Sequence, residues 1–105
     1  MKTKYSVVIT TTSNKEEAEK IAQVLLKEKL AACIQVSNIK SYYTWKDSIN
    51  ADEEFQLSIK CKSEDYNEIE NCIKVNHSYE VPEIIQIAIE QGHPDYLNWI
   101  DQVTK

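Results

Sequence analysis

Tyr5 to Thr12 is dense in β-branched residues and predicts a strand. Ser13 followed by Glu16 has the spacing of a capping box. Ala18, Ile21, Ala22, Leu25 and Leu26 then recur at helical spacing, so a helix is expected from Asn14 to Lys29. From Ala31 to Trp45 the β-formers return. That length predicts two strand segments with a bend near Ser37-Asn38, and polar Lys46 to Asp52 reads as a connection. Phe55, Leu57, Ile59 and Cys61 alternate with Gln56, Ser58, Lys60 and Lys62, which predicts a strand with one buried face. Ser63-Glu64-Asp65 opens a second helix that presents Tyr66, Ile69 and Ile73 on one side. Glu83 to Glu90 is isoleucine-rich and predicts a central strand covered on both faces. Gly92 breaks the chain, and Pro94 with Asp95 starts a final helix carrying Tyr96, Leu97, Trp99, Ile100 and Val103.

The order β-α-β-β-α-β followed by a helix predicts an α+β fold, a ferredoxin-like sandwich with an extra C-terminal helix, in one domain over residues 1–105. Two helices cover one face of such a sheet. No helix is assigned to the other face, and Tyr42, Tyr43 and Trp45 extend beyond what four strands need. Both features predict association with further copies of the chain.

Composition narrows the function classes. The net charge is −5 and all 12 basic residues are lysine. Phosphate contacts dominate nucleic-acid affinity, and arginine is their bidentate clamp, so nucleic acid is not an expected partner. The same acidity disfavours an anionic membrane surface. Gly92 is the single glycine, which removes glycine-rich phosphate loops. No apolar run approaches the roughly 20 residues that span a bilayer. The stretch after Met1-Lys2-Thr3-Lys4-Tyr5 is too short for the apolar part of a secretory leader, so a cytoplasmic location is expected. Cys33, Cys61 and Cys72 are odd in number and widely spaced, as free thiols are.

Several residues carry candidate chemistry, each beside a plainer role. His77 is a potential copper or zinc ligand or a loop histidine held by hydrogen bonds. Cys33 is a soft ligand or a small buried apolar residue. Glu80 and Glu83 flank Pro82, where two carboxylates suit a hard cation or simply face water or a neighbour's lysine. Lys60 and Lys62 are candidates for such pairing across subunits. Tyr43 and Trp45 suit stacking on a planar ligand or anchoring an interface.

The chain also resembles the CutA divalent-cation-tolerance family. The resemblance lies in Thr10-Thr11-Thr12 leading to Glu16-Glu17-Ala18; Lys29-Leu30-Ala31-Ala32-Cys33; Tyr43-Thr44-Trp45 with Asp52-Glu53-Glu54; His77 through Ile85; and Asp95-Tyr96-Leu97-Asn98-Trp99-Ile100. It implies a homotrimer similar in shape to PII-type signalling proteins and a link to copper or another divalent cation; enzymatic activity is not expected, because acylphosphatase chemistry on a ferredoxin-like fold uses arginine, which the chain lacks. It further implies clefts between subunits near the second strand and the His77 segment, which brings in Tyr79, Glu80 and Glu83 and leaves room for a small ligand. The chain departs from the family at Ser78, often proline there, and at Asp47, usually glycine. Where family members with a proposed copper site carry a cysteine and two histidines, this chain has Thr10, Asn76 and His77, which implies weak metal binding at best.

Overall fold

The computed structural model describes residues 3–105. Met1 and Lys2, the start of the stretch read against a secretory leader, lie outside the described residues. Strand β1 spans Tyr5–Thr12, helix α1 Lys15–Lys27, β2 Cys33–Trp45, β3 Ser48–Lys62, α2 Tyr66–Val75, β4 Ile84–Ala88 and α3 Pro94–Val103. A short 3-10 turn, Ser63–Asp65, leads into α2.

Both ends of α1 follow from local chemistry. Its N-cap is Asn14 rather than Ser13, because the Asn14 Oδ1 accepts from the Glu17 N–H at 2.8 Å. At the other end Lys29 takes the left-handed conformation, with φ 58°. The Leu30 N–H reaches the Leu25 carbonyl at 3.0 Å, and the Lys29 N–H reaches that of Leu26 at 3.1 Å. This pair is a Schellman closure, and the buried Leu25 and Leu30 supply the apolar contact that accompanies it.

The four strands form one antiparallel sheet in the order β2-β3-β1-β4, the ferredoxin-like arrangement. Strict alternation sorts the side chains. Val8, Leu57, Ile59 and Cys61 face α1 and α2, where they bury against Ala18, Ile21, Leu25, Ile69 and Ile73. The other face carries Val7, Ile9 and Thr11 of β1, and by register Ile87 and Ile85 of β4 lie beside Val7 and Ile9. The expectation that no helix covers that face is corrected at one end. Helix α3 is tied to its lower end: Asp101 accepts from Lys4 Nζ at 2.7 Å and from the Tyr5 hydroxyl at 2.8 Å, and Ile100 is fully buried.

Three further expectations are corrected. The second strand runs unbent from Cys33 to Trp45 in one continuous register with β3, so no break occurs at Ser37-Asn38. Lys46–Asp52 is not a connection either. Only Lys46 and Asp47 form the turn, with φ 49° and 64°, and β3 begins at Ser48. Positive φ at both central positions is the two-residue hairpin turn whose twist matches the strands, here made without glycine. Polar residues continue the ladder because no helix covers this part of it. β1 ends at Thr12 opposite Phe55, so residues 39–45 and 48–54 pair only with each other and project as a two-stranded ribbon. Lastly, the isoleucine-rich segment is not central within the chain. β4 is an edge strand, with Ile85 and Ile87 47% and 50% exposed. Its apolar run reflects a need for cover that the chain itself does not meet.

Candidate functional site: a cleft under the ribbon

The loop between α2 and β4 crosses the end of β1, where the ribbon leaves the sheet. It is held there by Glu17, whose Oε1 accepts from the Ser78 N–H at 3.0 Å and whose Oε2 accepts from the Ser78 hydroxyl at 2.8 Å. A carboxylate at the third helical position usually reaches back to its own cap; here it binds the neighbouring loop.

His77 is the centre of this attachment. Its imidazole has no exposed surface. Nε2–H donates to the Thr11 carbonyl at 2.7 Å, and Nδ1 accepts from the Tyr79 N–H at 3.1 Å, with a Glu17 oxygen 3.4 Å from Nδ1. The partners set this tautomer, because Thr11 O only accepts and Tyr79 N–H only donates. Both ring nitrogens are thereby occupied, and a ligand nitrogen must present a free lone pair.

The other positions expected at a copper site do not join it. Thr10 points into the core with no exposure, and its hydroxyl has no hydrogen-bond partner. The Asn76 amide donates to the Cys72 carbonyl at 2.8 Å. Cys33, half-buried and beside Tyr96 of α3, pairs with Lys60, whereas Thr11 pairs with Gln56. Four residues of strand separate these levels, roughly 13 Å. Among the described residues no three histidine, cysteine or acidic side chains gather as a metal site. The residues present therefore do not fit a tightly held cation at His77 and Cys33. Cys61 is further from such a role: burial, then the Asp65 charge, push its thiol up to about 12. Thr10→Val removes an unsatisfied hydroxyl at nearly constant volume, and should raise the unfolding free energy by about 1 kcal/mol in urea titration.

What the structure does bring together is a cleft of about 650 Å³ between the ribbon and the loop, lined by Tyr43, Trp45, Glu54, Tyr79, Glu80 and Glu83 among others. The Tyr79 hydroxyl donates to Glu54 Oε2 at 2.6 Å, and its ring lies 4.8 Å from the His77 ring. The Tyr43 hydroxyl donates to Asp52. Desolvation first, and then the Glu54 hydrogen bond and charge, hold the Tyr79 hydroxyl well above the usual range, so it stays a donor. Lys60 is not part of the cleft; its Nζ donates to Gln35 at 3.0 Å, lower on the sheet.

The resemblance implied a cleft between subunits near Tyr43, Trp45, Tyr79, Glu80 and Glu83; within the single chain these residues line one cleft between ribbon and loop. Sequence reasoning missed Glu54, which is 7% exposed, and Glu17. Glu54 occupies the polar register of β3, and nothing in a single sequence marks where β1 stops covering that strand.

Residues 6–103 match the family model described as CutA1 divalent ion tolerance protein. The divalent-cation tolerance protein CutA of Archaeoglobus fulgidus is 40% identical over 101 residues, 96% of this chain and 99% of that protein. Its solved structure, described as periplasmic, superposes with a TM-score of 0.94. CutA1 from the psychrotrophic bacterium Shewanella sp. SIB1 is 36% identical and covers 99% of this chain and 98% of its own, with a TM-score of 0.95. The relative from Pyrococcus horikoshii is 36% identical over 94% of this chain and 97% of its own length. With the family model spanning nearly the whole domain and the fold superposing on these structures along almost its full length, the chain belongs to the CutA1 divalent ion tolerance protein family.

Proposed function

We propose that this chain acts in cellular tolerance of divalent cations, copper among them, as the subunit of a homotrimer rather than as an enzyme. The observation that carries the assembly is the apolar quartet Val7, Ile9, Ile85 and Ile87, contiguous by register on the open face and ending at an unpaired strand edge. An isolated two-stranded ribbon is marginal in water, so the overhang of β2 and β3 asks for the same cover. The tolerance role rests on the relatives named above. It does not rest on a resident ion, since the histidine, threonine and asparagine in question serve the fold. Any direct cation contact falls to the exposed carboxylates and is weak. The three free cysteines support a reducing compartment, hence the cytoplasm, and no helix among the described residues is long and apolar enough to cross a membrane.

Two measurements test this reading. Deleting the gene should lower the highest Cu(II) or Zn(II) concentration that permits growth, and a plasmid copy should restore it. Sedimentation equilibrium should give three times the 12.2 kDa chain mass. Unaltered tolerance in the deletion strain removes the cellular role, and a species of single-chain mass at every concentration removes the assembly.

A further inference from the structure

The cleft under the ribbon holds a buried acid that no basic side chain among the described residues pairs with. Glu54 is 7% exposed, and its carboxylate's only hydrogen bond among the described residues is the one Oε2 accepts from Tyr79. No lysine or histidine lies within ion-pair distance of it among the described residues; the lysine–carboxylate pairs there are Lys4–Asp101 and Lys105–Glu68. Oε1 makes no hydrogen bond, yet it is not sealed off from solvent, as the unpartnered atoms of Thr10 and Asp65 are. Glu54 is one of the residues that line the cleft. A carboxylate so far removed from water normally has a counter-charge.

The walls state what kind of counter-charge is wanted. Three carboxylates line the cleft, Glu54, Glu80 and Glu83, with no basic residue among the lining side chains. Tyr43, Trp45 and Tyr79 complete it, and aromatic faces attract cations of low charge density. The ribbon's own lysines already use such faces: Lys46 Nζ sits 5.8 Å from the Trp45 ring and Lys40 Nζ 5.8 Å from the Tyr42 ring. A small divalent ion demands several oxygens converging at short range, and the described residues form no such cluster. An alkylammonium group needs one charged acceptor and an aromatic wall, and its carbon chain suits a space of this size.

We propose that the cleft between the ribbon and the 77–83 loop is a binding site for an ammonium group, with Glu54 as its charged acceptor and Trp45 and Tyr43 as its aromatic wall. The group belongs either to a free organic amine or to a lysine of a neighbouring copy. The wall lies along the projecting ribbon and the acceptor at its base, where Tyr79 of the loop meets it, so an occupant sits between ribbon and loop.

The oligomer as purified is titrated calorimetrically with n-butylammonium chloride, with n-butanol and sodium chloride as controls. Saturable binding of butylammonium alone is expected, weakened at least tenfold in Glu54→Gln, which keeps the acceptor for Tyr79, and several-fold in Trp45→Leu. Trp45 is 40% exposed in the single chain and outside its hydrophobic core, so that variant keeps the test open if Glu54→Gln does not fold. If a neighbouring copy's lysine fills the site, free butylammonium does not bind to the oligomer, and Glu54→Gln instead raises the subunit dissociation constant at least tenfold. Equal binding of butanol overturns the proposal. So does saturable Zn(II) binding lost in Glu54→Gln without any amine binding, and so does a Glu54→Gln protein unchanged in both amine affinity and subunit dissociation. None of these outcomes depends on the growth phenotype or the trimer mass, so this site and the tolerance role fail separately.

Discussion

His77→Ala is expected to lower the unfolding free energy by about 3 kcal/mol in urea titration at fixed protomer concentration, and to leave Cu(II) affinity unchanged. The magnitude follows from three losses. Thr11 O and the Tyr79 N–H, both part-buried, forfeit their partners, each at about 1 kcal/mol. The ring, fully buried against Tyr79, leaves a void. Glu17 remains attached to Ser78, so the loop should loosen rather than detach. A ligand histidine behaves in the opposite way: its removal abolishes binding and costs the fold little. His77→Ala with near-normal stability and lost Cu(II) binding would overturn the structural role assigned to it.

Charge on the open face should have the second large effect. Ile85→Asp or Ile87→Asp places a carboxylate in the quartet with Val7 and Ile9. Full burial of one isoleucine contributes about 1.5–3 kcal/mol, and an unpaired charge at the same place adds a desolvation cost. A rise of at least about 100-fold in the subunit dissociation constant is expected, roughly 3 kcal/mol per contact. Sedimentation velocity across protein concentrations reads it directly. Val75→Asp is the control. Val75 is 83% exposed at the end of α2, away from the sheet, and the same charge there should leave the sedimentation coefficient unaltered.

The legible parts of the chain were those whose burial is decided locally. Leu57, Ile59 and Cys61 alternate because β3 is covered on one face along that stretch, and the period alone shows it. The ribbon was illegible for the converse reason. Ser48 to Asp52 lacks an apolar face because only β2 lies beside it, so the polar run looked like a loop. The turn lacked its usual signal too, since Lys46 and Asp47 adopt conformations that asparagine and glycine ordinarily supply. The isoleucines of β4 announced cover on both faces but not its source, and an edge strand awaiting a partner reads like a central one. At the cleft, residue type pointed to Tyr43, Trp45, Glu80 and Glu83, and the resemblance added Tyr79. Glu54 was missed because its burial comes from a loop that returns from distant sequence. The resemblance drew attention to His77 as a ligand, whereas the neighbours of its ring set its role.

The ribbon has one consequence for how the molecule opens. Its two strands hydrogen-bond only to each other beyond Ile39 and Glu54, and its tip holds two residues in the left-handed region. Strands of this kind gain their protection from whatever packs over them, whereas Val8, Leu57 and Ile59 gain theirs from helices of the same chain. Amide protons of the outer ribbon should therefore exchange at a rate set by protein concentration, and those of the helix-covered sheet at a rate independent of it. One continuous hairpin thus contains two cooperative units, one closed by the chain and the other by the company it keeps.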